Sequence, residues 1–304
     1  MLKTLSGVIP VVPTIFTESE ALDLDGYQRV LDYLIDCNSD GLCILANYSE
    51  QFSLTDQERV EILETTINHV GDRAPITVTT SHYSARITAQ RSQQAQQLGA
   101  SMVMIMPPFF GATMKVAEAD VLEYFKRVAD GLEIDIMIQD APLSTTPLSV
   151  ELLTLLAHAI PQIRYAKIEV PRAADKLRAL ERTVADALPG LFVGEEAVTL
   201  IPDLEAGARG AMTSALIPDR VGVIVRDFHA GQHEAATAAW EEILPLIHYE
   251  NRQCGLSAAK IVLKEGGIIA SDVTRWPLSP VSATSQHGLL QLARRHDVLA
   301  LRWT

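Results

Sequence analysis

Short apolar runs alternate with amphipathic stretches over residues 1–217, and this alternation restricts the fold more than any other feature of the chain. The apolar runs have the length of buried strands and fall at residues 7–15, 41–45, 75–79, 101–106, 134–138, 163–167, 191–193 and 211–213. The stretches between them have helical spacing and cover residues 25–35, 55–70, 84–98, 116–129, 149–159, 172–188 and 198–206. Such repeats imply parallel strands joined by crossover helices.

Eight strand–helix repeats predict an α/β fold, a (β/α)8 TIM barrel. The alternative is an open doubly wound sheet, but no G-x-G-x-x-G motif follows the first apolar run to support a dinucleotide site there. At the second helix, Thr55 is the expected N-cap, and Glu58 three residues later completes a capping box.

The remaining chain is predicted to be helical. Amphipathic spacing recurs at residues 221–228, 234–248, 257–265 and 285–295. Although a length of 304 residues suggests about two domains, α/β barrels of this size are commonly one. We therefore expect a barrel over residues 1–217 and a C-terminal helical segment, 218–304, that packs on the barrel to give a single structural unit.

The composition, 48% apolar and 21% charged, is ordinary for a globular protein. A formal net charge of -13 argues against non-specific binding to nucleic acid, which needs a basic surface. No apolar run approaches the roughly 20 residues that cross a bilayer, and the N-terminus lacks a signal peptide's apolar segment. Cys37, Cys43 and Cys254 form neither a CxxC pair nor an even framework. We expect a cytoplasmic protein without nucleic-acid or membrane partners.

Lys167 ends the sixth apolar run and is the main candidate for chemistry. In a barrel, active sites are built at the C-terminal ends of the strands. Burial disfavours the ammonium form of a lysine, and a neutral amine can attack a ketone to form a Schiff base. The competing interpretation is a solvated lysine at the surface, since lysine is rarely buried.

Other polar groups follow the remaining strands, at residues 46–50, 79–83, 107–111, 139–142, 194–196 and 213–214. None of these segments has the ligand set of a metal site. His229 and His233 stand four residues apart, but no acidic ligand accompanies them, and we interpret them as solvated helix residues. His82 is a candidate for a polar contact at a strand end. No G-x-S-x-G motif or P-loop is present, so we expect neither a metal nor a cofactor.

Four segments carry a resemblance to a known family. Residues 46–50 (ANYSE) lie where that family has a G-[TS]-T-G-E loop, and residues 139–142 (QDAP) lie where it has Y-N-x-P. Residues 166–169 (AKIE) match its lysine strand, and residues 207–211 (GARGA) match its late G-A-x-G segment. In order and spacing, over nearly the whole length, the chain resembles the dihydrodipicolinate synthase / N-acetylneuraminate lyase family. The resemblance implies a homo-oligomer, a tetramer or dimer, in which Lys167 forms an imine with a small keto acid.

The departures from the family pattern concern its proton relay. Gln139 and Asn47 stand where the family has a tyrosine and a threonine, and Phe110 stands where it has a tyrosine that reaches a neighbouring subunit. None of these three side chains exchanges protons as a phenol does. Loss of the tyrosine disfavours retro-aldol cleavage. The resemblance then implies a Schiff-base dehydratase of a 2-keto-3-deoxy sugar acid, converting 2-keto-3-deoxy-L-arabonate to 2-oxoglutarate semialdehyde and water.

The resemblance also implies roles for the loop after the second strand. Asn47, Tyr48 and Ser49 are expected to bind the substrate carboxylate through backbone N–H groups and side-chain donors. Tyr48 is alternatively the surviving phenol near the imine. Glu50 is expected to organise this loop by hydrogen bonding, and Gln139 is expected to contact the substrate.

Three further residues, Gly194, Glu195 and Glu196, are candidates for binding the distal hydroxyls. A solvated acidic loop is an equally good interpretation, because acidic loop residues are usually exposed. Glu169 is either a structural partner or a base.

Two other functions remain open from the sequence. Phe109 and Phe110 would suit an aromatic substrate of a class I pyruvate-type aldolase of the same family. Loss of the relay also permits a catalytically silent sensor that binds a keto acid.

Overall fold

The computed structural model describes residues 4–109, 116–184 and 186–303. Its strands are β1 (Gly7–Val8), β2 (Leu42–Ile44), β3 (Ile76–Thr79), β4 (Met102–Ile105), β5 (Asp135–Asp140), β6 (Ile163–Ile168), β7 (Gly190–Val193) and β8 (Gly210–Ala211). The helices between them are α1 (Leu24–Asp36), α2 (Asp56–Val70), α3 (Ala85–Leu98), α4 (Glu118–Ala129), α5 (Val150–Ala159), α6 (Ala173–Val184) and α7 (Leu200–Glu205). After β8 come α8 (Pro218–His229), α9 (His233–Tyr249), α10 (Ser257–Glu265) and α11 (Ala283–Arg295).

The chain forms two compact units. The first comprises Met1–Ser6, Ile76–Gly194 and Pro202–Gly210, and the second comprises Gly7–Pro75, Glu195–Ile201 and Ala211–Thr304. The predicted boundary between residues 217 and 218 stays a prediction.

In the first unit, β3 to β7 pair as parallel neighbours in chain order. Lys167 of β6 is in register with Gln139 of β5 on one side and with Phe192 of β7 on the other. Most interior residues of these strands are apolar and buried, as expected of parallel strands covered on both faces. The register therefore brings the backbones of Gln139 and Lys167 side by side at the C-terminal ends of their strands.

In the second unit, β1 lies between β8 and β2. The Ile9 N–H donates to Ala211 O at 3.0 Å, and Val11 forms a parallel bridge with Cys43. The predicted first strand, residues 7–15, is regular only over Gly7–Val8. Pro10 and Pro13 interrupt it because proline has no N–H to donate to a ladder.

The sequence signals for helix ends agree with the structure. Thr55 Oγ1 accepts from the Glu58 N–H at 3.2 Å, and Glu58 Oε2 accepts from the Thr55 N–H at 2.9 Å. The predicted capping box of α2 is thus confirmed. Ser149 caps α5 by accepting from the Leu152 N–H at 3.0 Å.

The remaining expectations concern the three cysteines and the presence of a membrane-spanning helix. Cys37, Cys43 and Cys254 are buried, and none of the three takes part in a disulfide bond. Within the described ranges, no helix combines the length and apolar character needed to cross a membrane.

Candidate active site

Lys167 is buried at the C-terminal end of β6, as its sequence context predicted. The residue is 5% exposed, and its Nζ forms an ion pair with Glu169 Oε1. An amine placed against a carboxylate can lose its proton to that carboxylate, and the free amine is the form that attacks a carbonyl. The pair therefore combines a candidate nucleophile with a candidate general base.

Glu169 is fixed from three sides within the first unit. Its N–H donates to Asp140 O at 3.0 Å, and its Oε2 accepts from Gln139 Nε2 at 3.1 Å. On the third side lies Gly194, where a Cβ atom would overlap the Glu169 side chain. These contacts hold the carboxylate beside the amine of Lys167.

Gln139 fills the position of the family tyrosine with an amide. Its Nε2 donates to Glu169, while its Oε1 is buried without a hydrogen-bond partner among the described residues. An unsatisfied buried acceptor is unfavourable by about 1–3 kcal/mol, so it suits a donor supplied by a ligand. The expected contact between Gln139 and substrate stays a prediction.

A second lysine near this site, which sequence reasoning missed, is partly buried and pairs with the next residue of β5. Lys176 Nζ of α6 donates to Asp140 Oδ2 at 2.6 Å and also to Leu148 O. Burial raises the pKa of Asp140, and the hydrogen bond from Lys176 opposes that effect. Since both amine contacts tie α6 to the loop after β5, we interpret Lys176 as structural.

The loop after β2 is held by its own hydrogen bonds. Ser49 Oγ donates to Val12 O at 2.6 Å and accepts from the Ala46 N–H at 3.1 Å. Asn47 Oδ1 accepts from Gln51 Nε2 at 2.6 Å. The Ser49 hydroxyl therefore ties the loop to Val12, and the expected contact of Ser49 with substrate stays a prediction.

Glu50 organises this loop by hydrogen bonding, in the way the sequence suggested. It has a left-handed φ of 56° and a side chain with no exposed surface. Its Oε1 pairs with Lys260 of α10, and its Oε2 accepts from the Arg275 N–H at 3.0 Å. The partners on the C-terminal segment, more than 200 residues away, carried no sequence signal.

Glu195 and Glu196 have opposite environments. Glu195 is exposed, which agrees with the solvated-loop interpretation. Glu196 is 8% exposed, and its Oε2 accepts from the Tyr48 hydroxyl at 3.3 Å and from Asn251 Nδ2 at 3.2 Å. Glu250, a further buried acid, interacts electrostatically with Glu196. Asn251 and Glu250 lie in the C-terminal segment, and sequence reasoning missed both.

The sequence matches a known family over almost its full length. The model described as the Dihydrodipicolinate synthetase family covers residues 4–295. The chain belongs to the dihydrodipicolinate synthetase family. This confirms the resemblance that the loop, lysine and glycine motifs carried.

Two curated relatives and one solved structure illustrate the range of the dihydrodipicolinate synthetase family around this chain. An L-2-keto-3-deoxyarabonate dehydratase of Azospirillum brasilense is 50% identical over 98% of this chain and 96% of its own length. The putative 2-dehydro-3-deoxy-D-gluconate aldolase YagE of Escherichia coli (strain K12) is 35% identical over 62% of this chain and 61% of its own length. A dihydrodipicolinate synthase structure from Aquifex aeolicus superposes with a TM-score of 0.90 at 19% identity, covering 96% of this chain and 98% of that one.

The structural similarity confirms the predicted fold class for this family member. The chain has the (β/α)8 TIM-barrel fold of the dihydrodipicolinate synthetase family, with C-terminal helices after the eighth strand. Residues 139, 167 and 194–196 all lie at or just after the C-terminal ends of strands. Active sites of such barrels are built from these ends.

The remaining candidates have local roles or lie outside the described residues. His82 Nδ1 accepts from the Ser84 N–H at 2.9 Å, next to the start of α3. His229 and His233 pack against the Phe228 ring, with centroid separations of 5.9 and 4.6 Å. In the part of the chain that the structure describes, no group of three or more His, Cys, Asp or Glu side chains could hold a metal ion. Phe110, the third departure from the family relay, lies outside the described residues.

Proposed function

We propose that this chain is a Schiff-base dehydratase of a 2-keto-3-deoxy sugar acid. The proposed reaction converts 2-keto-3-deoxy-L-arabonate to 2-oxoglutarate semialdehyde and water. The buried Lys167–Glu169 ion pair is the observation that carries the proposal. The A. brasilense dehydratase supports the choice of substrate, because it is 50% identical over nearly the full length of both chains.

Imine formation uses the two residues of the pair. Glu169 takes a proton from the Lys167 ammonium, and the free amine attacks C2 of the keto acid. Glu169 then returns its proton to the carbinolamine hydroxyl, which leaves as water. The product is a protonated imine, whose positive charge makes C2 an electron sink, and Glu169 is again a carboxylate.

The same carboxylate is the best candidate for the base at C3. Once the imine has formed, C3 is one bond from the carbon attached to Lys167 Nζ, and Glu169 Oε1 contacts that nitrogen. Glu169 removes a C3 proton, and the electron pair of the C–H bond moves to the imine nitrogen. The proton then passes to the C4 hydroxyl, which leaves as water while the electron pair returns to form the C3–C4 double bond. Glu169 thereby supplies acid–base catalysis without the family tyrosine.

We also propose contacts between the substrate and the remaining candidate residues. Asn47, Tyr48 and Ser49 bind the substrate carboxylate, and Gln139 contributes its unpaired Oε1 as an acceptor for a substrate hydroxyl. Glu196 binds the distal hydroxyls, while Gly194 provides room for Glu169. Glu195 has little support for a direct contact because its side chain is exposed.

Assembly, domain organisation and location are proposed on family grounds. We propose a homo-oligomer, a tetramer or dimer, located in the cytoplasm. Light scattering on the purified protein measures the oligomeric state. We further propose residues 1–217 as the barrel and 218–304 as a helical segment packed on it, which limited proteolysis tests at their junction.

The decisive experiment combines trapping with product analysis. Reduction with borohydride in the presence of 2-keto-3-deoxy-L-arabonate should attach the trapped sugar acid, as a secondary amine, to the peptide carrying Lys167. The peptides carrying the partly buried Lys176 and the buried Lys260 should stay unmodified. Lys167→Ala should abolish both the adduct and turnover, whereas Lys126→Ala, a change at an exposed lysine, should abolish neither. Full turnover by Lys167→Ala would refute the Schiff-base mechanism.

Product identity distinguishes the alternatives. An uncleaved semialdehyde supports the dehydratase. Pyruvate plus an aldehyde supports an aldolase, the activity named for the E. coli relative that is 35% identical over 62% of this chain. Tight binding of keto-deoxy acids without turnover supports the sensor.

A further inference from the structure

A cavity in the second unit, the α10 cavity, has no part in the imine steps. It encloses about 310 Å³ between the segment after β1, the start of α10 and the segment that joins α10 to α11. All the residues that line it belong to the second unit. Its polar and aromatic walls include Glu18, Glu20, Ser257, Asp272 and Trp276.

The carboxylates on these walls are only partly neutralised. Asp272 Oδ1 pairs with Lys264 Nζ at 2.6 Å. Glu18 interacts electrostatically with Lys264, but neither Glu18 nor Glu20 forms an ion pair with any described residue. The α10 cavity therefore carries negative charge that the described part of the chain does not cancel.

Glu20 is held at the cavity by its backbone. Residues 195–197 form a left-handed run with φ values of 54°, 54° and 69°, and Glu20 has the same kind of backbone, with a φ of 63°. Such a conformation is strained in a residue with a side chain and persists only where the surroundings impose it. At Glu20 the restraint is Arg275, whose Nε and Nη2 donate to Glu20 O at 3.0 and 2.7 Å. This wall of the cavity is therefore preformed.

Arg275 does not neutralise the Glu20 carboxylate in return. Its Nη1 donates to Glu58 Oε2 at 2.9 Å and to Ser53 O at 2.8 Å. The guanidinium thus holds the backbone of Glu20 while its ion pair is made with Glu58.

Ser257 brings a buried hydroxyl to the wall of the α10 cavity. The residue is 7% exposed, and its hydroxyl makes no hydrogen bond with any described residue. A buried hydroxyl without a partner is unfavourable. Because its oxygen can accept as well as donate, Ser257 suits a hydrogen-bond donor supplied by a ligand.

Trp276 supplies an aromatic surface that the rest of the second unit leaves uncovered. The residue is 67% exposed and lines the cavity together with the apolar side chains of Ile261, Val273 and Val281. The π face of an indole attracts cations, and recognition of organic ammonium ligands is a known use of that attraction. The cavity therefore combines negative charge with apolar contact area.

This combination selects one class of ligand. An anion, including a sugar acid, would be repelled by Glu18 and Glu20. A bare metal ion is also disfavoured, because no group of three or more His, Cys, Asp or Glu side chains within the described ranges could hold one. An organic cation satisfies both the carboxylates and the apolar wall.

We propose that the α10 cavity binds a small organic cation, a primary ammonium group carried on an apolar body. The ammonium donates hydrogen bonds to the Glu20 carboxylate and to the Ser257 hydroxyl, and Glu18 adds attraction. The apolar body lies against Trp276 and Ile261. Since one water molecule takes about 30 Å³ of liquid, the cavity has room for a ligand of roughly ten non-hydrogen atoms. This binding goes beyond the proposed dehydratase activity and does not depend on it.

The first test compares three probes that differ only in charge. Isothermal titration calorimetry should give phenethylamine a Kd below about 1 mM, and added salt should weaken its binding because salt screens exposed charges. The neutral 2-phenylethanol and the anionic 3-phenylpropionate should each bind at least about tenfold more weakly. No binding of phenethylamine, or equal binding of all three probes, would overturn the proposal.

The second test assigns the binding to this cavity. Glu20→Gln should weaken phenethylamine binding about tenfold, whereas Glu61→Gln, at an exposed position of α2, should leave it unchanged. Trp276→Leu should weaken it about fivefold, while Trp276→Phe, which keeps an aromatic face, should retain most of it. Parental affinity in both Glu20→Gln and Trp276→Leu would overturn the assignment.

A second copy of this chain is the other occupant that these variants can reveal. Light scattering should show the same assembly for Trp276→Leu as for the parent. A smaller assembly for Trp276→Leu, together with no binding of phenethylamine by the parent, would place the Trp276 surface in the homo-oligomer and overturn the proposal. Because each measurement reports binding or assembly, a failure of the dehydratase function would leave these outcomes unaffected.

Discussion

Lys260 Nζ and Glu50 Oε1 form an ion pair in which neither side chain has any exposed surface. Lys260 also donates to Val273 O at 2.9 Å and lies 4.7 Å from the centroid of the Phe16 ring. Burial lowers the pKa of Lys260, and the charge of Glu50 opposes that shift. Because Glu50 directly follows Asn47–Ser49, this pair connects the loop after β2 to α10.

Lys260→Met should destabilise the protein by about 3–5 kcal/mol, because it leaves the Glu50 carboxylate buried without its cation. Chemical denaturation measures the change. Lys264→Met, in the same helix, removes a half-exposed pair with Asp272 and should change stability by at most about 1 kcal/mol. The double variant Lys260→Met/Glu50→Gln should recover part of the stability that Lys260→Met loses. If the stability losses of the two single variants simply add in the double variant, the pairing is contradicted.

Glu169→Gln should lower kcat by about 10²- to 10⁴-fold, because an amide cannot remove the C3 proton. Trapping by borohydride at Lys167 should persist on long incubation, since the nucleophile remains. Steady-state kinetics and mass spectrometry check the two outcomes. Glu123→Gln changes an exposed carboxylate paired with Arg127 and serves as the control. Unchanged turnover in Glu169→Gln would leave Glu169 as a structural partner only.

Gly194→Ala should reduce kcat, because the added methyl group would overlap the Glu169 side chain and displace its carboxylate. Overpacking of this kind destabilises proteins by about 1–3 kcal/mol, which thermal unfolding would report. Gly222→Ala, inside α8, meets only the flexible end of Arg226 and should leave kcat unchanged. A normal kcat in Gly194→Ala would show that the position of the Glu169 carboxylate does not require the absence of a side chain at residue 194.

Glu250→Gln should become more stable relative to the parent as pH rises. The folded pKa of Glu250 is raised, so the unfolded state ionises first, and the stability of the parent falls between the ordinary glutamate pKa and the raised value. Within that window the difference should grow by at most about 1.4 kcal/mol per pH unit. Urea denaturation at acidic and neutral pH measures it. A stability difference independent of pH would mean that the pKa of Glu250 is not raised by folding.

The sequence predicted the fold closely where its signals are local. The capping box at Thr55 and the apolar runs around Val103 and Ile138 depend on neighbours in the chain, and the observed elements follow them. The first strand was overestimated because Pro10 and Pro13 end regular pairing that apolar character alone suggested.

The candidate site was only partly predictable. Lys167 was found because strand ends of a barrel are known from the alternation alone, and Glu169 lies two residues further on. Glu250 and Asn251 were missed because a π turn, which no short motif specifies, brings them to Glu196. Lys260 was missed because a buried lysine cannot be distinguished from a surface lysine without its partner.

The left-handed run at residues 195–197 also bears on how this enzyme scaffold can be engineered. Glycine adopts a positive φ without strain, so Glu195→Gly is a place where thermal stability can be gained while the buried neighbour Glu196 is kept. Glycine at Glu196 itself would relax the same backbone but remove the carboxylate. Selection for heat resistance should therefore accept glycine at either position, whereas selection for turnover should accept it at position 195 and keep the glutamate at position 196.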